Sequence, residues 1–208
     1  MKSQDIFLLL KLVSLSKFSD ETGRGLQVDA PISGNWRDWV DGDEFDAVPA
    51  IEPRELYSVR YLALVTGISK SEVSNILARC YVSGLAKQSM SAGHPIVNTR
   101  ALCEFIVFGI RYVFPVTMGE MTRGIATGLT APIFGGELRP AGDHVPVWPD
   151  PKGGTSGLSV TPLFKTVTQA VRADPDLYAM LALVDSIRTG HPRERNLAVS
   201  KIETRLRG

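Results

Sequence analysis

Residues 115–162 hold nine Gly and seven Pro among 48 residues, and this segment constrains the fold more than any other. Pro removes a backbone donor and Gly carries the largest backbone entropy, so such a stretch cannot form long helices or strands. A formless loop of that length is uncommon inside a compact chain, so short strands and ordered turns are expected there. Any long helices must lie on either side of it.

On the N-terminal side, "MKSQDIFLLLKLVSLSK" places Ile6, Leu9, Leu10 and Val13 at helical spacing over residues 3–17. Phe7, Leu8 and Leu12 make the same helix apolar on its other sides, which predicts burial against more than one partner. Asp5 precedes the apolar run, Lys11 interrupts it, and no small-residue cleavage site follows, so it does not read as a signal peptide. It is also too short to span a membrane. Residues 18–53 read as mostly irregular, and residues 54–86 as two short helices. "NTRALCEFIVFGIRYVF", residues 98–114, starts at a cap on Asn98 or Thr99 and is apolar on most faces, which predicts a central helix. Beyond the Gly/Pro-rich segment, Asp174 and Pro175 open a helix as N-cap and first position, and Gly190 ends it after Arg188. Pro192 opens a last helix that docks through Leu197, Ile202 and Leu206, with basic residues that could touch phosphates.

The net charge of +1 argues neither for nor against a nucleic-acid partner, but the charge is unevenly placed. Residues 18–53 carry two basic and nine acidic residues, whereas residues 54–111 carry seven basic and three acidic ones. Two cysteines, Cys80 and Cys103, form no CxxC and no disulfide framework, which fits a reducing cytoplasm. No GxSxG, Walker loop, GxGxxG after a strand or HExxH occurs, so neither an enzyme nor a cofactor is expected.

The mildly basic segment contains "GISKSEVSNILARCYVSGL", residues 67–85, a helix that starts polar and ends apolar. A first helix near residues 58–66 turns Leu62, Ala63 and Val65 inward. Gly67 can take the left-handed conformation that stops it, and Ile68 plugs the corner. Ser69 with Glu72 three residues later forms a capping box for the second helix. Val73, Ile76, Leu77 and Cys80 then face a core, leaving Lys70, Ser71, Ser74, Asn75, Ala78 and Arg79 on the other faces. Short hydroxyls and an amide suit base edges in a major groove, since Asn pairs bidentately with adenine and Ser reaches several bases. Lys70 and Arg79 suit phosphates, which position a protein without reading sequence.

This segment resembles the winged helix-turn-helix of MarR-like bacterial transcription regulators, through "LALVTGISKSEVSNILARCYVSGL" with its Gly-Ile-Ser corner and closing Gly84-Leu85. The match covers about 40 of the 208 residues. It implies a β-hairpin wing, which "AKQSMSAGHPIVN" can supply around Ser91-Ala92-Gly93, and it places Lys87 and His94 near the minor groove or the backbone. Across most of the chain, "MKSQDIFLLLKLVSL", the "FP", "TRG", "AP" and "VWPDP" pieces and "DPDLYAMLALVDSIRTGHPRER" resemble a poorly characterised family of bacterial helix-turn-helix proteins, which implies little chemistry. The acidic residues 18–53 depart from the compact linker such a domain would have.

The expected fold is therefore mainly α with a small β wing. Residues 1–97 would form a winged helix-turn-helix domain with an acidic insert at 18–53, and residues 98–208 a helical C-terminal region with the Gly/Pro-rich segment inside it. The expected function is sequence-specific binding of double-stranded DNA by a homodimeric transcription regulator. The dimer follows from two half-sites and from apolar end helices that need a covering surface. The alternative is a protein-docking winged helix such as an antitoxin-like partner. Two further alternatives stay open. Cys80 is either an inert core thiol or a redox sensor. "GDHVPVWPDP" is either a structural loop around Trp148 or a ligand pocket with Asp143, His144 and Asp150. The acidic stretch 35–48 reads as a surface excursion anchored by Trp36, Trp39 and Phe45, whose carboxylates either repel DNA or do nothing.

Overall fold

A computed structural model describes residues 1–24, 36–39, 55–89, 93–137 and 145–207. Helices dominate, with two small sheets, as the hydrophobic spacing predicts. Helix α1 (Ser3–Arg24) is the centre of the molecule. Every residue from Asp5 to Leu15 is buried, so this part of the helix is covered on all sides by its own chain. It runs seven residues beyond the expected end at residue 17, into the stretch read as irregular. Its neighbours include α3 (Lys70–Val82) and α7 (Pro175–Thr189), so it contacts both sides of the expected division at residue 97. Because residues 5–15 of α1 are covered within one chain, that stretch offers no apolar face to a second copy, and the argument for a dimer drawn from it falls.

Helix α7 is the second central helix, buried at every position from Leu177 to Arg188. Asp174 caps it by accepting from the Leu177 amide, with Pro175 at the first position, and Gly190 follows its end. Helix α8 (Pro192–Arg207) docks on α7 through Ala198, Ile202 and Leu206. Residues 98–114 do not form the central helix their composition suggests. They form α4 (Thr99–Phe108), capped by Asn98, and α5 (Ile110–Val113), with Leu102, Ile106 and Ile110 buried and Phe108 and Tyr112 in solvent.

The Gly/Pro-rich segment folds as anticipated into short strands: β3 (Met121–Ala126), β4 (Pro146–Pro149) and β5 (Thr155–Ser159). β3 pairs antiparallel with both others, and β4 pairs parallel with β5, so the sheet closes on itself. The closure explains the glycine content: a Cβ on Gly124 would collide with the Trp148 carbonyl. Trp148 is buried, which favours the structural reading of "VWPDP", while Asp143 and His144 lie outside the described residues. Beneath the sheet the buried Asp185 carboxylate accepts from Trp148 Nε1 (2.6 Å), Arg188 (2.7 Å) and the Thr127 hydroxyl (3.0 Å). Burial pushes its pKa up, and the Arg188 charge and the three donors pull against that.

Of the stretch 35–48, residues 36–39 are described, and there Asp38 is tied to the sheet rather than standing on a surface excursion. Asp38 accepts from the Ala126 amide (2.6 Å) and the Thr155 hydroxyl (2.9 Å), while its carbonyl accepts from the Gly154 amide (2.8 Å). Trp36 and Trp39 anchor the segment as expected, packing edge-on at 5.3 Å and against the buried Tyr178 ring. The remaining residues of the stretch, Asp41, Asp43, Glu44, Phe45 and Asp46 among them, lie outside the described residues. Replacing Asp38 by Ala removes two charge-assisted hydrogen bonds, which should lower unfolding stability by roughly 2–3 kcal/mol. Urea denaturation will show this as a lower midpoint at constant slope; an unchanged midpoint would mean that the segment rests passively on the sheet.

Candidate nucleic-acid interface

Helix α2 (Val59–Thr66) starts at Ser58, whose hydroxyl accepts from the Tyr61 amide at 3.1 Å. It stops at Gly67, whose φ of 67° is left-handed and whose amide bonds to Ala63. Ile68 fills the corner, fully buried, and Ser69 caps α3 by accepting from the Glu72 amide. Strands β1 (Ala86–Gln88) and β2 (Pro95–Val97) follow as an antiparallel hairpin, with Lys87 opposite Ile96. Ser91 and Ala92 of the expected turn lie outside the described residues. The unit thus has two helices joined by a sharp three-residue corner, then a hairpin.

The faces of α3 divide as the spacing predicts. Val73, Ile76, Leu77 and Cys80 are buried, and Lys70, Ser71, Ser74, Asn75 and Ala78 are exposed. Leu62 of α2 is buried, Ala63 and Val65 are only partly so, and Leu64 stands in solvent. Ser74 bonds back to the Lys70 carbonyl at 3.2 Å, and Asn75 reaches Glu72 only at 3.5 Å, so its amide is weakly held. Lys87 is exposed on β1.

Two of the expected contact residues have other partners. Arg79, which suits a phosphate by its place on the helix, is held within the chain. Its Nη2 lies 2.6 Å from Asp5 Oδ1 and 2.9 Å from Glu72 Oε1, and its Nε donates to Asp5 Oδ2 at 3.0 Å. Asp5 has no solvent exposure, so the ionised carboxylate needs this partner. His94, which the resemblance places near the minor groove or the backbone, also has a partner within the chain. Its ring stacks on Tyr57 at 4.0 Å, half-buried at the turn end of the hairpin. Glu72 completes only half of the capping box, because its carboxylate is drawn to Arg79, Lys2 and Gln4. The bonds to Arg79 first, then Lys2, hold its pKa down to about 2.

The exposed stripe of α3 continues through Ala78 to Val82, where a cavity of 410 Å³ opens between the second half of α3 and the start of α1. Its charged wall is the Asp5–Arg79 pair, already mutually satisfied. Cys80 also lines it, and burial raises that thiol to about 12. No group of three or more His, Cys, Asp or Glu side chains suited to a metal occurs among the described residues. No helix among them is long and apolar enough to cross a membrane.

Truncating Arg79 to Ala strands a fully buried carboxylate, so stability should fall by about 3–5 kcal/mol. The double variant Asp5→Leu, Arg79→Leu should recover most of that loss in the same urea titration, because removing both charges leaves no ion unpaired. Cys80 should resist iodoacetamide at pH 8 in the folded protein and react on denaturation, read by mass spectrometry; fast native labelling would revive the redox-sensor reading.

No protein-family model, no curated protein and no solved structure matches this chain.

Proposed function

We propose that this chain binds double-stranded DNA sequence-specifically, as a winged helix-turn-helix transcription regulator. The observation that carries the reading is the exposed start of α3. Lys70, Ser71, Ser74 and Asn75 all face solvent there, while the opposite face of the same helix is buried. A major groove about 12 Å wide admits one helix, and short hydroxyl and amide side chains let its backbone come close to base edges. Ser71 and Asn75 are one turn apart and would make the base contacts. Lys70 and Lys87 would take phosphates on either side, with the β1–β2 hairpin acting as the wing. Arg79 drops out of the contact set, because Asp5 and Glu72 already occupy its guanidinium. His94 serves the wing by bracing it on Tyr57. Bound as a homodimer, the protein would recognise two inverted half-sites about 10 base pairs apart.

One observation favours docking to a protein instead: Val82, on the same stripe of α3, is 92% exposed. Salt dependence separates the two readings. Phosphate contacts release counterions, so DNA affinity must fall steeply as salt rises.

Selection of bound duplexes from a random pool should yield a preferred site with two inverted halves. On that site, Ser71→Ala and Asn75→Ala should each weaken binding by about 1–3 kcal/mol and relax the preference at one position. Lys70→Ala and Lys87→Ala should weaken all sequences alike and flatten the log–log salt slope by about one unit each. Asp5→Leu with Arg79→Leu should leave the slope unchanged. No enriched site and no salt-dependent shift would transfer the reading to a protein partner.

A further inference from the structure

We infer that the exposed face of α4 and α5 is the surface on which two copies of this chain pair, antiparallel, about a two-fold axis near Val107 and Phe108. Gly109 separates the two helices, with a φ of −112° and a ψ of −37° that stay in the right-handed region. It caps both helices: its amide donates to the Phe105 carbonyl, and its carbonyl accepts from the Val113 amide. Arg100, Glu104, Phe108 and Tyr112, four residues apart in turn, are all exposed, and Arg111 is partly exposed beside Tyr112. The opposite face, with Leu102, Ile106 and Ile110, is buried in the molecule.

Two large aromatics stand in water on that face, Phe108 at 73% and Tyr112 at 76% exposure. Single exposed apolar residues are ordinary, but adjacent aromatics on one ridge mark an association surface. Phe and Tyr are also the side chains that interface cores favour.

The charges identify the occupant. Glu104 and Arg111 lie at equal distances on either side of a midpoint between residues 107 and 108. An antiparallel copy therefore sets Glu104 against Arg111 of the second copy, and the symmetry makes the pair twice. The two Phe108 rings meet at the axis. This is the self-complementarity that a two-fold interface requires. Within its own chain, Arg111 lies over the Tyr112 ring at 5.6 Å and has no carboxylate partner among the described residues. Glu104 has only the exposed Arg100 at 3.2 Å, a contact of little energy that a desolvated partner can replace. The surface is read without reference to DNA; its failure would remove the homodimer from the proposed function and leave the base and phosphate contacts of α3 to their own test.

Sedimentation equilibrium of the full chain without DNA, at micromolar concentrations, is the test. A particle of twice the 22.7 kDa chain mass is expected. Phe108→Ser with Tyr112→Ser should raise the dimer dissociation constant at least about a hundredfold, with far-UV circular dichroism unchanged because both side chains are exposed. Glu104→Arg alone should weaken pairing about tenfold, and adding Arg111→Glu should restore it, because the two charges exchange places across the axis. Glu104 is exposed and Arg111 is partly exposed, so the charge variants keep the test open if the aromatic variant fails to fold. A wild-type monomer at every concentration overturns the inference, as does a dimer indifferent to these substitutions. Failure of the double charge exchange to restore pairing overturns the antiparallel register.

Discussion

Two ionised side chains inside a buried helix govern the arrangement of everything around it. Asp5 and Lys11 both belong to the fully covered part of α1. Desolvating each would cost several kcal/mol, so each must meet a counter-charge. Asp5 meets Arg79 on α3. Lys11 meets Asp174, the N-cap of α7, at 2.7 Å, and Ser14 adds a hydroxyl to the same carboxylate. Against an apolar replacement such pairs add little net stability. They do fix register: sliding α3 or α7 by one turn along α1 would leave a buried charge alone. The candidate recognition helix and the C-terminal helices are thereby held to one rod.

A second tie runs through the corner between α2 and α3. The Thr166 hydroxyl donates to the Thr66 carbonyl, and a Cβ on Gly67 would meet the Thr166 side chain. Phe164, two residues earlier, stacks on Phe7 of α1 at 6.2 Å, and the Leu163 carbonyl accepts from Ser3. The segment leading out of the β3–β4–β5 sheet therefore braces the corner that aims α3. Gly67 serves two needs at one position, a left-handed backbone and space for a neighbour. The tight packing makes the face of α3 rigid, which suits a surface that must match a partner without reordering.

Much of the local architecture was legible in the sequence. Ser69, Asn98 and Asp174 cap the helices they were expected to cap, and the buried set Val73, Ile76, Leu77 and Cys80 follows directly from 3.6-residue periodicity. The density of Gly and Pro between residues 115 and 162 announced short strands, because it limits the length of any regular element. The composition of residues 98–114 misled, since Phe108 and Tyr112 count as core residues until the neighbouring helices are in place.

Caps, stops and periodic faces depend on residues within one or two turns of each other, and a one-dimensional pattern is enough to specify them. The destination of a charge does not work that way. Arg79 finds Asp5 across 74 positions, Ala126 finds Asp38 across 88, and Lys11 finds Asp174 across 163. An arginine on a polar helix face reads the same whether a phosphate or a buried carboxylate lies opposite. The sequence by itself therefore determined which residues form α3, where it starts and which side is apolar. Only the tertiary structure decided which of its polar residues remain free, because desolvation of Asp5 captured Arg79 and left Lys70, Ser71, Ser74 and Asn75 in solvent.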